Sequence, residues 1–169
     1  MLYSWCEDVK STLFTKLRDF QFRLLHNIVV TNLDLKKWGI KQSDKCTFCS
    51  DHTETITHLL IECKCSQEIW NHVYSQICKC SKVYIKLQKC EVFMGLYDKP
   101  FAVFYNHICM VIKQYIYACR CLEKIPNKQV VIEKIKDAKH VEYQLAKQND
   151  RTTAFFKKWE LVENLWAGP

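Results

Sequence analysis

The chain has 169 residues, of which 49% are hydrophobic and 13% aromatic; this is enough to bury a core in one domain, or one domain with a small appended module, and it excludes a disordered chain. Only three glycines and three prolines argue against a fold of many tight turns and for long helices. The formal net charge of +7 is compatible with phosphate-backbone partners and equally with a lysine-rich soluble face, so charge alone assigns nothing.

Eleven cysteines suggest a disulfide scaffold at first sight. The amino terminus, however, carries acids early and has no apolar signal core, the number is odd, and a chain of this size needs no staples. Reduced thiols in an intracellular compartment, nuclear or cytoplasmic, are expected. No apolar run reaches the roughly 20 residues of a membrane span, the longest being broken by Asn106 and His107.

In chain order, Leu13, Leu17, Phe20, Leu24 and Ile28 recur at three- and four-residue steps and predict one amphipathic helix over 3–30, with a stop and restart at Thr31-Asn32. A short helix over 33–38 meets Gly39, suited to a C-terminal cap. The polar stretch 41–45 leads into Cys46-Thr-Phe-Cys49, followed by a helix over 54–62 that Asp51 or Thr53 would cap. A helix over 66–78 follows, with Trp70 placed to pack on the cysteine region. Residues 79–88 read as irregular or short strand, and Val92 to Leu96 as an apolar turn. Pro100 opens a long helix over 101–124 that Pro126 ends. Two further helices cover 129–148 and 152–166, separated by Asn149-Asp150. The expected fold is therefore mostly α: an irregular helical domain built around one structural zinc knuckle, with little or no β. Its parts would be an amino-terminal amphipathic helix (1–32), a metal module (33–78) and a helical region (79–169) packed with the first helix.

The metal expectation rests on Cys46, Cys49, His58 and Cys63, spaced C-x2-C-x8-H-x4-C, a complete tetrahedral donor set for one Zn2+. The first pair lies in a polar stretch, where core cysteines would have apolar neighbours. His52 and Cys65 remain substitutes for His58 and Cys63, since either exchange keeps four ligands; His58 is preferred because it falls within a helix. In a regular helix Cys63 lies about 140° around from His58, so the helix must unwind or turn near Glu62 if both are ligands. Four protein donors leave no position for water, which marks the site as structural rather than catalytic. The remaining thiols read as structural. There is no phosphate loop, nucleophile elbow, paired polymerase acid or H-E-x-x-H, so catalysis is not indicated.

The run from Lys16 to Ile40, then CTFCSDHTETITHLLIEC and Trp70, resembles the zinc-binding carboxyl-terminal region of reverse transcriptases of LINE-type non-LTR retrotransposons. The likeness falls on Phe22 to His26, Leu35, Gly39-Ile40, Cys46, Cys49, Glu54-Thr55, His58-Leu59-Leu60, Cys63 and Trp70. It implies a module that handles RNA or DNA beside a polymerase domain that this sequence does not contain, and so no polymerase activity of its own. Arg18, Arg23, Lys36, Lys37, Lys41 and Lys45 are the candidate phosphate contacts. The rival expectation is a structural or protein-interaction domain from a repurposed retroelement, its aromatic residues docking a separate polymerase domain or another partner.

Overall fold

The computed structural model describes Thr12 and residues 14–81, 88–97 and 101–162. Among these the regular structure is helical, with a single isolated antiparallel bridge between Lys45 and Thr53. We number the helices α1 (Thr15–Leu25), α2 (Asn32–Lys37), α3 (Lys64–Ser81), α4 (Lys89–Met94), α5 (Ala102–Cys121), α6 (Lys128–Gln148) and α7 (Thr152–Trp159). A π-helical turn, His58–Glu62, precedes α3, and a 3-10 turn, Glu160–Val162, follows α7. None of the described helices is long and apolar enough to cross a membrane.

Helix α5 is the axis of the molecule. Phe104, Ile108, Val111, Ile112, Tyr115 and Ile116 are buried, and α5 packs against α1, α3, α6, α7 and the π turn. A helix buried on nearly all sides has few polar positions, and two of them, Asn106 and Lys113, tie it to its neighbours. Asn106, which interrupts the apolar run, is buried and holds Leu96 at both ends: its Oδ1 accepts from the Leu96 N–H at 2.7 Å and its Nδ2 donates to the Leu96 carbonyl at 3.1 Å. Lys113 is 2% exposed and donates to Gln21 Oε1 of α1 and to the Val92 carbonyl of α4, each at 2.7 Å.

Four helices end in the same way. In α1 the Ile28 N–H returns to the Arg23 carbonyl at 2.8 Å, with Asn27 in the left-handed region (φ 54°). In α2 Ile40 returns to Leu35 at 2.9 Å over Gly39 (φ 72°), as the sequence predicts. Lys124 to Cys119 over Glu123 and Arg151 to Ala146 over Asp150 close α5 and α6. This is the six-to-one closure that normally recruits glycine, here built three times without it.

Several boundaries differ from expectation. Helix α1 stops at Leu25 because Asn27 turns left-handed, well before the anticipated stop at Thr31; the restart falls where expected, Thr31 capping α2 with its hydroxyl and N–H both bound to Asp34. Helix α5 ends at Cys121 through Glu123, ahead of Pro126. Val92 to Met94 belong to a helix rather than a turn, and Gly95 (φ 90°) ends it. Of the stretch 79–88, expected to be irregular or short strand, residues 79–81 belong to α3 and Gln88 caps α4, while 82–87 lie outside the described residues, as do Pro100, the segment before Thr12 and the end of the last helix. Helix α5 begins at Ala102 rather than at 101, with Phe101 left-handed (φ 61°) before it.

Candidate metal centre

Residues 44–54 form a folded-back loop. Its ends are joined by Cys46 N–H to the His52 carbonyl at 2.8 Å and Glu54 N–H to the Asp44 carbonyl at 2.7 Å, and its tip turns through Ser50 (φ 57°). Cys46 and Cys49 both precede Ser50, whose N–H closes the turn onto the Cys46 carbonyl at 3.0 Å. The helical run then starts at Ile56, capped not by Asp51 or Thr53 but by Thr55, whose Oγ1 accepts from the His58 N–H at 3.0 Å.

The five-residue interval between His58 and Cys63 is accommodated by the π turn. Cys63 N–H binds the His58 carbonyl at 2.7 Å, an i to i+5 bond that widens the turn and returns Cys63 to the side of His58. Cys63 itself is extended (φ −61°, ψ 131°) and its carbonyl accepts from Gln67, so it stands at the head of α3. The carbonyls that this break frees find new donors. Ser66 Oγ donates to Leu59, and Trp70 Nε1 donates to Leu60 at 2.7 Å, which is how the buried indole packs on the knuckle.

The donor atoms of Cys46, Cys49, His58 and Cys63 lie within 4.8 Å of one another. Cys46 Sγ is 3.9 Å from Cys63 Sγ, and Cys49 Sγ is 3.4 Å from His58 Nε2. Zinc–sulfur and zinc–nitrogen bonds of about 2.3 and 2.05 Å at tetrahedral angles give edges of about 3.8 Å and about 3.6 Å. Both distances fit such a tetrahedron, and 3.9 Å is far too long for a disulfide, which spans about 2.05 Å.

Each sulfur also faces two backbone N–H groups: Cys46 those of Phe48 and Cys49, Cys49 those of Asp51 and His52, and Cys63 those of Cys65 and Ser66 at the start of α3. Such donors stabilise thiolates. Burial opposes them, and at Cys46 it wins, pushing the thiol up to about 12; at Cys63 it also raises the value. At Cys49 burial is outweighed by the N–H groups and by the imidazoles of His52 and His58, and the thiol falls to about 6. A buried pair of thiols that resists ionisation, beside one that ionises readily, is a site in which a cation supplies the missing charge.

Of the alternative donors, His52 is exposed and stacks on His58 at 5.1 Å, and with Cys49 and Asp51 it forms a more exposed trio. Cys65 is half-buried in the first turn of α3. The buried quartet contains His58 and Cys63.

A residue behind the knuckle carries more of the site's architecture than its sequence context suggests. Glu54 is completely buried. One oxygen accepts from Asn32 N–H and Arg120 Nε, both at 2.9 Å; the other accepts from Thr47 N–H at 2.7 Å and Thr47 Oγ1 at 2.6 Å. Asn32 also donates to the Lys45 carbonyl and accepts from Arg120 Nη2. Despite burial, these donors hold the Glu54 carboxyl below its ordinary value. The C-x2-C loop, the start of α2 and the end of α5 are thus locked through one carboxylate. In the sequence it stands out only as part of Glu54-Thr55 in the family resemblance, with no role attached.

The candidate phosphate contacts are not equally available. Arg18 is exposed on α1, and Arg23 is half-buried beside Lys16, Asp19 and Tyr117 in a groove between α1 and α5. Lys37 is exposed at the end of α2. Lys36 pairs with Asp44 at 3.2 Å, Lys41 with Glu123 at 3.3 Å, and Lys45 donates to the Asp51 carbonyl at 3.0 Å.

Residues 3–70 match a family model described as zinc-binding in reverse transcriptase. The match contains all four donors and ends on Trp70. No curated protein and no solved structure matches the chain.

Proposed function

We propose that this chain is a zinc-stabilised nucleic-acid-binding module, similar to the tail of a LINE-type reverse transcriptase and without polymerase activity of its own, working where RNA or DNA is handled, in the nucleus or cytoplasm. The observation that carries the reading is the closed quartet: Cys46, Cys49, His58 and Cys63 within 4.8 Å, with backbone N–H groups directed at every sulfur. Zinc bound there would be structural, fixing the C-x2-C loop against α3. The match of residues 3–70 supports the same reading, and the net charge of +7 suits a polyanionic partner. Arg18, Arg23 and Lys37 are the first phosphate contacts; Lys36, Lys41 and Lys45 join them by exchanging exposed intramolecular partners, which costs little.

A second reading is favoured by one surface. Trp38 and Ile40 at the end of α2, and Leu122 and Ile125 at the end of α5, are 60–67% exposed, and the Lys41–Glu123 pair joins these two ends. Such an apolar surface suits docking of a polymerase domain.

Native mass spectrometry and oligonucleotide binding, on the wild type and Cys49→Ser, test the proposal together. The expected result is one zinc ion per wild-type chain, lost on substitution, and RNA affinity that falls steeply as salt is raised. Wild-type protein without zinc, or with affinity indifferent to salt, overturns it.

A further inference from the structure

The carboxyl-terminal helices, beyond the segment that the family model matches, carry a second basic surface with a different make-up. On α6, Lys136, Lys139, His140 and Tyr143 are spaced by three, four and seven residues, one face of the helix. Phe155 and Phe156 of α7 stand opposite, and the six residues line a groove of about 370 Å³ that contains no carboxylate.

The core explains Phe155, which belongs to it, and Tyr143, which packs against it, but not the cations or Phe156. The residues that α6 buries are Val131, Ile135, Ala138, Glu142 and Ala146. Phe155 is buried, whereas Phe156 is 55% exposed, its ring 5.5 Å from Phe155 and 6.1 Å from Tyr143. Phe155 anchors the helix while Phe156 presents its ring to the groove. Lys136 pairs with Glu133 on its own helix at 3.2 Å, and the Lys139 ammonium lies 5.6 Å from the Trp159 ring centroid.

An acidic peptide would use the cations but leave the exposed ring without a partner. A duplex offers phosphates but keeps its bases stacked inside. An unpaired strand offers both a base face and phosphates, the combination that aromatic side chains in a cationic groove recognise. We propose that the α6–α7 groove binds single-stranded nucleic acid, an unpaired base stacking on Phe156 beside Tyr143 and the neighbouring phosphates lying between Lys136, Lys139 and His140. The inference rests on the nucleic-acid reading above and adds to it a second contact surface and a preference for unpaired strands.

Fluorescence anisotropy with a short labelled oligouridylate and a labelled duplex of equal length tests it on the zinc-loaded full chain. Phe156→Ala removes an exposed ring, so the fold survives, and Lys139→Gln removes one charge. Phe156→Ala should weaken single-strand binding by about five-fold or more, the low end of what a base–aromatic stack contributes, and leave duplex binding within about two-fold. Lys139→Gln should weaken both and flatten the salt dependence. Single-strand affinity unchanged in Phe156→Ala, or an equal loss on the duplex, overturns the groove. If the wild type binds neither probe, the functional reading falls with it. If Arg18→Gln with Lys37→Gln abolishes binding while Phe156→Ala does nothing, the groove alone is wrong.

Discussion

At the scale of single residues, Glu54 explains why the two thiols of the loop are presented as a pair. A carboxylate with no solvent exposure is tolerated only when its lone pairs are filled, and here Thr47, Asn32 and Arg120 fill them. Glu54→Gln keeps the volume but leaves Arg120, 10% exposed at its side chain, without a counter-charge. Removing one partner of such a pair should cost about 3–5 kcal/mol, measurable by urea unfolding. The pH dependence has a definite sign. Because the folded carboxyl lies below its ordinary value of 4.5, the unfolded chain binds the proton first; the contribution is complete above that value and is lost as pH falls through the folded one. The difference between wild type and Glu54→Gln should therefore shrink on acidification. A difference that stays constant or grows would contradict this role. The donors were legible in the sequence because three thiols and an imidazole within eighteen positions form a local pattern. The role of Glu54 was not, because its partners Asn32 and Arg120 lie 22 residues before and 66 after it.

At the scale of elements, helical periodicity located the long helices, since a buried stripe is written directly in the order of residues, even in α5, where burial extends beyond the stripe. Their ends were harder to read. Helix termination is usually signalled by glycine at the left-handed position, yet in α1, α5 and α6 that position holds Asn27, Glu123 and Asp150. Asparagine and aspartate adopt this conformation at modest cost through local hydrogen bonds, whereas glutamate has no such relief. Glu123→Gly should therefore stabilise the protein by about 1 kcal/mol. The exposed pair with Lys41 that it gives up is worth less. A higher midpoint in chemical denaturation with unchanged slope is the expected result; a lower midpoint would show that Glu123 matters for something other than the turn. The π turn was half legible. The spacing of His58 and Cys63 requires a departure from the α-helix, but its form depends on Ser66 and Trp70 waiting to take the freed carbonyls.

At the scale of the whole molecule, the two halves draw stability from different sources. The loop from Asp44 to Glu54 has one isolated bridge, a few backbone bonds and the buried Cys46 and Phe48 as its apolar contribution. Helices α5, α6 and α7 bury a contiguous set of large side chains, including Phe104, Ile108, Ile112, Ile135 and Trp159, with Glu142 receiving both Trp159 Nε1 and Lys158 Nζ. Structural zinc sites contribute about 10–16 kcal/mol of apparent binding energy, which is also folding energy for whatever the metal organises. Held by the quartet, the metal would organise the loop, the π turn and the head of α3. Chelation should consequently raise amide hydrogen exchange across residues 44–66 while residues 102–148 stay protected, with a partial loss of helical circular dichroism. The Glu54–Arg120 lock is the route by which the effect would spread, because Arg120 belongs to α5 and Glu54 to the loop. Exchange should therefore rise further at the end of α5 than at its centre. Uniform loss of protection along α5 and α6 would mean that metal and helical core form one cooperative unit, and the division of labour argued from the packing would be wrong.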